Sequence, residues 1–183
     1  MTSVLQSLRA LRIYLRQHPE IAVVLVLVAL ARILPHPWNL TPLGATALFA
    51  GAVMDRRYAW MVALLPMAIA DALIGFYNPL VMMFVYGSFA VYALFGHWLM
   101  GKRITGLRLG AAVLAGSLQF FVLSNFAVWA AGMYGYSWTG LVQCYVMAIP
   151  YYGNTLAGDA FYSLVFFAAF FFYRRSAYSA AAA

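Results

Sequence analysis

The chain has 183 residues, about one domain, of which 66% are hydrophobic and 8% charged. Soluble domains run near 45–50% and about 25%, so there is too little charge to solvate an ordinary surface, and disorder, a coiled coil and a disulfide scaffold are excluded. The formal net charge of +7 falls in short clusters between apolar stretches, a membrane-topology pattern and not a nucleic-acid one.

Residues 1–19 read as a cytoplasmic basic arm. Leu5, Leu8, Leu11 and Leu15 recur at helical spacing beside Arg9, Arg12 and Arg16, which suits an amphipathic helix on anionic lipid or a plain topogenic arm. Six apolar runs follow: Glu20–Pro35, Leu43–Met54, Tyr58–Gly75, Leu80–Met100, Leu109–Ala131 and Asn154–Tyr173. They predict an all-α polytopic membrane protein, six transmembrane helices forming a single domain over 20–174. No small-residue cleavage site follows the first run, so it reads as a retained helix. The second run is below the ~17–25 residues a spanning helix needs and requires tilt, extension by its flanks or partial re-entry. A further segment, Thr139–Pro150, stops at a proline and predicts a short interfacial or re-entrant helix before the last span. Residues 175–183 read as a disordered tail, in part an appended expression scar.

Lysine and arginine set the orientation. The arm, Arg56 and Arg57, Lys102, Arg103 and Arg108, and Arg174 and Arg175 all fall on one side of a six-span layout, leaving only Arg32 of the 11 basic residues inside a span. That bias places both termini in the cytoplasm and the protein in the inner membrane of a bacterium.

Polar groups collect toward the other side. Arg32, Asp71, Asn125 and Asp159 each lie a few residues from the outer end of a run, roughly 5–9 Å deep at 1.5 Å per residue, whereas the inner halves are apolar. Charges inside a bilayer cost a few kcal/mol unless they face a partner or a cavity, so the pattern predicts a polar cavity open to the outside over an apolar plug. Arg32 and Asp71 equally suit a structural ion pair. Thr155, Asp159 and Tyr162 share a helical face fit for a cavity wall, although Asn154 or Thr155 could instead cap the last helix. Asn125 and Trp129 share a face of the fifth helix.

The outer loops are stiff and aromatic. The first, Pro35 to Pro42, presents His36, Trp38 and Asn39; the third presents Tyr77 and Asn78; the fifth runs past Tyr134, Tyr136 and Trp138 to Tyr151, Tyr152 and Asn154. Stacking rings with a few amides suit a flat polar ligand, and rings also gather at membrane interfaces without one. The candidate substrate-binding set is therefore Arg32, His36, Trp38, Asn39, Asp71, Tyr77, Asn78, Asn125, Trp129, Tyr151, Asn154 and Asp159. No zincin, nucleophile-elbow or phosphate-loop motif is present, so no catalytic residue is assigned. Asp71 and Asp159 could still meet as a membrane aspartyl pair acting on a lipid or cofactor, and small residues such as Gly44, Gly51 and Gly116 would also suit a packing subunit of a larger complex.

Four blocks carry a resemblance: Arg32-Ile-Leu-Pro-His-Pro-Trp-Asn-Leu-Thr-Pro-Leu-Gly-Ala, Asp71-Ala-Leu-Ile-Gly-Phe-Tyr, Ser124-Asn-Phe-Ala-Val-Trp and Cys144-Tyr-Val-Met-Ala-Ile-Pro-Tyr-Tyr-Gly-Asn-Thr-Leu-Ala-Gly-Asp. They look like the signature of a widespread family of small membrane proteins, and the layout resembles the substrate-binding S-components of energy-coupling-factor vitamin transporters, most closely the solitary cobalamin-binding type. The resemblance implies capture of a vitamin, cobalamin first among them, from the outer side, with release by toppling or by an ATP-driven partner module. It implies no permanently bound cofactor and no nucleic-acid partner, only the lipid bilayer and the small molecule. Some cobalamin-binding members ligate cobalt through an outer-loop cysteine; here the third loop has none, and His36 or Cys144 would be the candidate ligands.

Overall fold

The computed structural model describes residues 19–35 and 37–181, together with Gln6, Arg9, Arg12, Ile13 and Arg16. The four leucines expected on the amphipathic arm, and His36, lie outside the described residues. Six helices follow in order: α1 Pro19–Ile33, α2 Leu43–Val53, α3 Arg56–Ile74, α4 Pro79–Phe95 continuing through a π-helical turn Gly96–Met100, α5 Gly106–Ala130 and α6 Trp138–Ala181.

Local chemistry sets several boundaries. Asn78 Oδ1 accepts from the Leu80 and Val81 amides, at 3.0 and 3.3 Å, ahead of Pro79 at the first helical position. Thr105 Oγ1 accepts from the Arg108 amide, and Ser137 Oγ from the Gly140 amide at 3.0 Å. Each satisfies an amide that helix geometry leaves unpaired. Gly75, at φ +116°, turns the chain out of α3 through a region that side-chain-bearing residues avoid.

Three helices, Pro79–Met100, Gly106–Ala130 and Trp138–Ser176, are long and apolar enough to cross a membrane; Leu43–Val53 and Tyr58–Ile74 are apolar but shorter. The all-helical expectation therefore holds, but six clear spans do not. Leu107, Leu114, Leu118 and Val122 lie exposed along one side of α5, an apolar stripe that water does not favour and lipid does.

The short helix expected over Thr139–Pro150 does not exist as a separate element. It is the first part of α6, which passes through Pro150 without a break. A proline removes one donor and crowds one carbonyl, and neighbouring helices can compensate within a membrane bundle. Here the Tyr145 hydroxyl donates to the Val122 carbonyl at 2.7 Å and Cys144 Sγ to the Asn125 carbonyl at 3.4 Å, tying the stretch before Pro150 to α5. Two further expectations change with it. Ser137, not Asn154 or Thr155, caps the last helix, and α6 continues to Ala181 where a disordered tail was expected from residue 175, in keeping with the helix propensity of its alanines.

The short α2 sits at the centre. Eight of its residues, Leu43 to Leu48 with Ala50 and Gly51, are buried, and it packs against α3, α4, α5 and α6. Small residues make that possible. A Cβ on Gly51 would overlap the Ala93 carbonyl, one on Gly96 the Leu48 carbonyl, and one on Gly116 the ring of Tyr92. Below lies an apolar core including Val28, Leu48, Met67, Ala93, Met100, Val113 and Phe167.

Candidate functional site

A cavity of about 500 Å³ opens between the first and third loops and helices α2 to α6. Trp38, Asn39 and Thr41 of the first loop and Tyr77 of the third form its rim side, with Arg32 at the end of α1. Asn39 holds the first loop's turn at φ +63°, a conformation asparagine tolerates better than most residues. The loop is fastened to α6: Asn154 Nδ2 donates to the Trp38 carbonyl at 2.9 Å, and Gly158 packs so closely on Leu40 and Thr41 that a Cβ would stand 3.3 Å from the Thr41 backbone. Valine at Gly158 should therefore lift the loop and weaken ligand binding by tenfold or more while the apolar core below stays folded, measurable by calorimetry beside a melting curve.

The walls are aromatic and amide-bearing. Phe89 and Tyr92 of α4, Phe120, Phe121, Ser124 and Asn125 of α5, and Tyr151, Tyr152, Thr155 and Asp159 of α6 line the cavity. Phe89 stacks on Tyr92 with centroids 5.7 Å apart, and Phe121 meets Tyr152 at 5.1 Å. Such packing fixes the rings before any ligand arrives.

Two carboxylate networks stand apart. At the rim Arg32 Nη2 pairs with Asp71 Oδ1 at 2.5 Å, and the Tyr86 hydroxyl donates to Asp71 Oδ2 at 2.9 Å. Asp71 is 1% exposed and does not line the cavity; it holds Arg32, which does. The Tyr77 phenol nearby is pushed up to about 12 by burial, with the Asp71 carboxylate adding and Arg32 opposing, so it stays a neutral donor at physiological pH. Deeper in, Asp159 Oδ2 accepts from the Tyr92 hydroxyl and from Ser117 Oγ.

Asp159 is not at the depth of Arg32, Asp71 and Asn125, where the sequence placed it. Its partners Tyr92 and Ser117 each stand 13 residues from Pro79 at the start of α4 and Ala130 at the end of α5, about 20 Å along either helix at 1.5 Å per residue. Treating Pro150 as a helix end produced the shallow position.

Of the twelve candidate residues, the structure brings Arg32, Trp38, Asn39, Tyr77, Asn125, Tyr151 and Asp159 onto one cavity. Asp71 backs Arg32, Asn78 caps α4 and Asn154 ties the first loop. The Trp129 indole donates to the Ser137 carbonyl, 3.2 Å away, at the turn into α6. Cys144 is buried and absent from the wall, and among the described residues no three His, Cys, Asp or Glu side chains group closely enough to hold a metal ion. Tyr86, Tyr92 and Ser117 were missed. Hydroxyls inside the apolar runs are their signal, since a buried hydroxyl needs a partner.

Helices long enough to span a bilayer, packed around a cavity with aromatic and polar residues on its wall, define the class: a small helical bundle of the membrane type. Residues 15–181 match a family of unknown function, DUF6580, and the chain belongs to that family. No curated protein and no solved structure matches it.

Proposed function

We propose that the protein is a membrane-embedded binding component that captures a vitamin-sized organic molecule from the outer side of the bacterial inner membrane. The observation that carries this reading is the single cavity gathering seven of the candidate residues from the first and third loops, α1, α5 and α6. Its volume is within the 300–1,000 Å³ typical of small-molecule sites. At organic packing density that space takes roughly 20–30 non-hydrogen atoms, too few to enclose a whole corrinoid, so a smaller flat vitamin fits better than cobalamin. An ATP-driven partner module for release follows from the S-component resemblance alone.

The paired-carboxylate enzyme is less favoured by the geometry, because Asp71 and Asp159 belong to separate hydrogen-bond networks and only Asp159 faces the cavity. Mass spectrometry of the purified protein, followed by calorimetric titration, tests capture. A retained compound recovered chemically unchanged is the expected result, and a modified product overturns the reading. Replacing Tyr77 and Tyr151 together by alanine should weaken binding at least about tenfold, since each ring contributes ~0.5–1.5 kcal/mol beyond its buried area and tenfold needs about 1.4.

Orientation rests on the basic clusters. In a Cys144→Ser background, Phe76→Cys and Tyr136→Cys, both at strongly exposed positions, should react with an impermeant thiol label from outside the cell. Lys102→Cys and Arg103→Cys should react only after permeabilisation. The opposite result would reverse the side from which the cavity loads.

A further inference from the structure

Charge on the cavity wall is unbalanced. The only ionisable acids and bases among its described lining residues, phenols aside, are Arg32 and Asp159, and Arg32 is already matched by Asp71. Asp159 is 2% exposed, and among the described residues no cation is paired with it. Tyr92 and Ser117 both donate to Oδ2; Oδ1 accepts no hydrogen bond among the described residues. Gly44, in the first turn of α2, leaves room for this free oxygen, which a Cβ there would overlap. The amino end of α2 favours a carboxylate through its dipole but supplies no full counter-charge.

Oδ1 is not among the fully buried unpartnered atoms of the described residues, which are Arg32 Nε, Gln119 Oε1 and Ser163 Oγ; on a carboxylate that lines the cavity, it is completed by water or by a donor or cation that a ligand brings. The same cavity is lined by Phe89, Phe120 and Phe121, and aromatic rings attract a positive charge placed over a face. Resting on the capture reading above, we infer that the occupant is a compact organic cation, a flat ring bearing a protonated nitrogen that donates to Asp159 Oδ1. Neutralised Arg32 does not repel it, and the aromatic faces select against a small inorganic ion, which could not fill the space.

The test holds the ring constant and varies the charge. Tryptamine, tryptophol and indole-3-acetate carry an ammonium, a hydroxyl and a carboxylate on the same indole. Calorimetry with detergent-purified protein should find tryptamine at least tenfold tighter than indole-3-acetate, with tryptophol between them. In Asp159→Asn the span from best to worst should shrink to about threefold. Tyr92→Phe, which removes a neutral donor and leaves the charge, should keep the preference for the cation. Binding of all three without preference for tryptamine, or a preference that survives in Asp159→Asn, overturns the charge inference and leaves the capture reading standing. Failure of all three to bind overturns this inference, and the compound retained by the purified protein then decides the capture reading separately. If Asp159→Asn does not yield monodisperse protein, the wild-type order decides.

Discussion

Valine in place of Gly51 should leave no monodisperse folded protein. The α2–α4 contact at this point is backbone against backbone, because a Cβ on Gly51 would overlap the Ala93 carbonyl and one on Gly96, a turn further along, would overlap the Leu48 carbonyl. Overpacking a core ordinarily costs ~1–3 kcal/mol because side chains rotate away. Carbonyls cannot rotate away without breaking helical hydrogen bonds, so here the helices must separate, and α2 also contacts α3, α5 and α6. Against a total stability of about 5–15 kcal/mol for typical proteins, that loss is severe. Fluorescence-detected size exclusion should show aggregate for Gly51→Val and a weakened peak for Gly51→Ala. A wild-type profile for the valine variant would mean that the two helices do not approach this closely.

Removing the carboxylate of Asp71 should be nearly as damaging, for a different reason. Asp71→Ala strands the Arg32 guanidinium, whose Nε is buried and has no hydrogen-bond partner, and frees the Tyr86 hydroxyl. Breaking a buried pair from one side costs ~3–5 kcal/mol in proteins. Arg32 keeps 22% side-chain exposure toward the cavity, which places the expected loss at the lower end. Replacing both members, Arg32→Met with Asp71→Leu, should restore much of the melting temperature, because a matched apolar pair avoids the desolvation of two charges. The double variant should nonetheless bind more weakly, since the cavity rim loses the hydrogen-bond donors of the guanidinium that Asp71 does not use. Recovery of both stability and binding would show that the pair serves only to hold α1 against α3.

Much of this was legible before any coordinates. The apolar runs marked where helices lie, because a bilayer accepts only backbone satisfied within itself. Asn78 reads in the sequence as a ligand-facing amide, whereas its side chain is spent capping α4 ahead of Pro79. Arg32, Asn39, Tyr77, Asn125 and Tyr151 converge because polar groups placed on different helices near one end have few ways to avoid a shared cavity. Pro150 was misleading, since its missing donor is a local fact whereas the continuity of α6 depends on the anchors that Tyr145 and Cys144 make on α5. Sequence spacing carries no record of those. The depth of Asp159 was lost with it, and so was its link to Tyr92 and Ser117, residues 67 and 42 positions away. The separateness of the two carboxylate networks is likewise a tertiary fact.

The unbroken run of α6 also has a mechanical meaning. Its donor ladder lacks a rung only at Pro150, between the stretch bolted to α5 and the stretch that carries Thr155 and Asp159. Any displacement of that wall must be absorbed by bending at the proline or by swinging the remainder as one lever. From Pro150 to Arg175 the lever arm is about 38 Å at 1.5 Å per residue, so each 10° of swing about the proline would sweep the basic end through roughly 6–7 Å. Movement of the cavity wall would thereby be felt at the basic end of α6, where Arg174 stacks over Phe170.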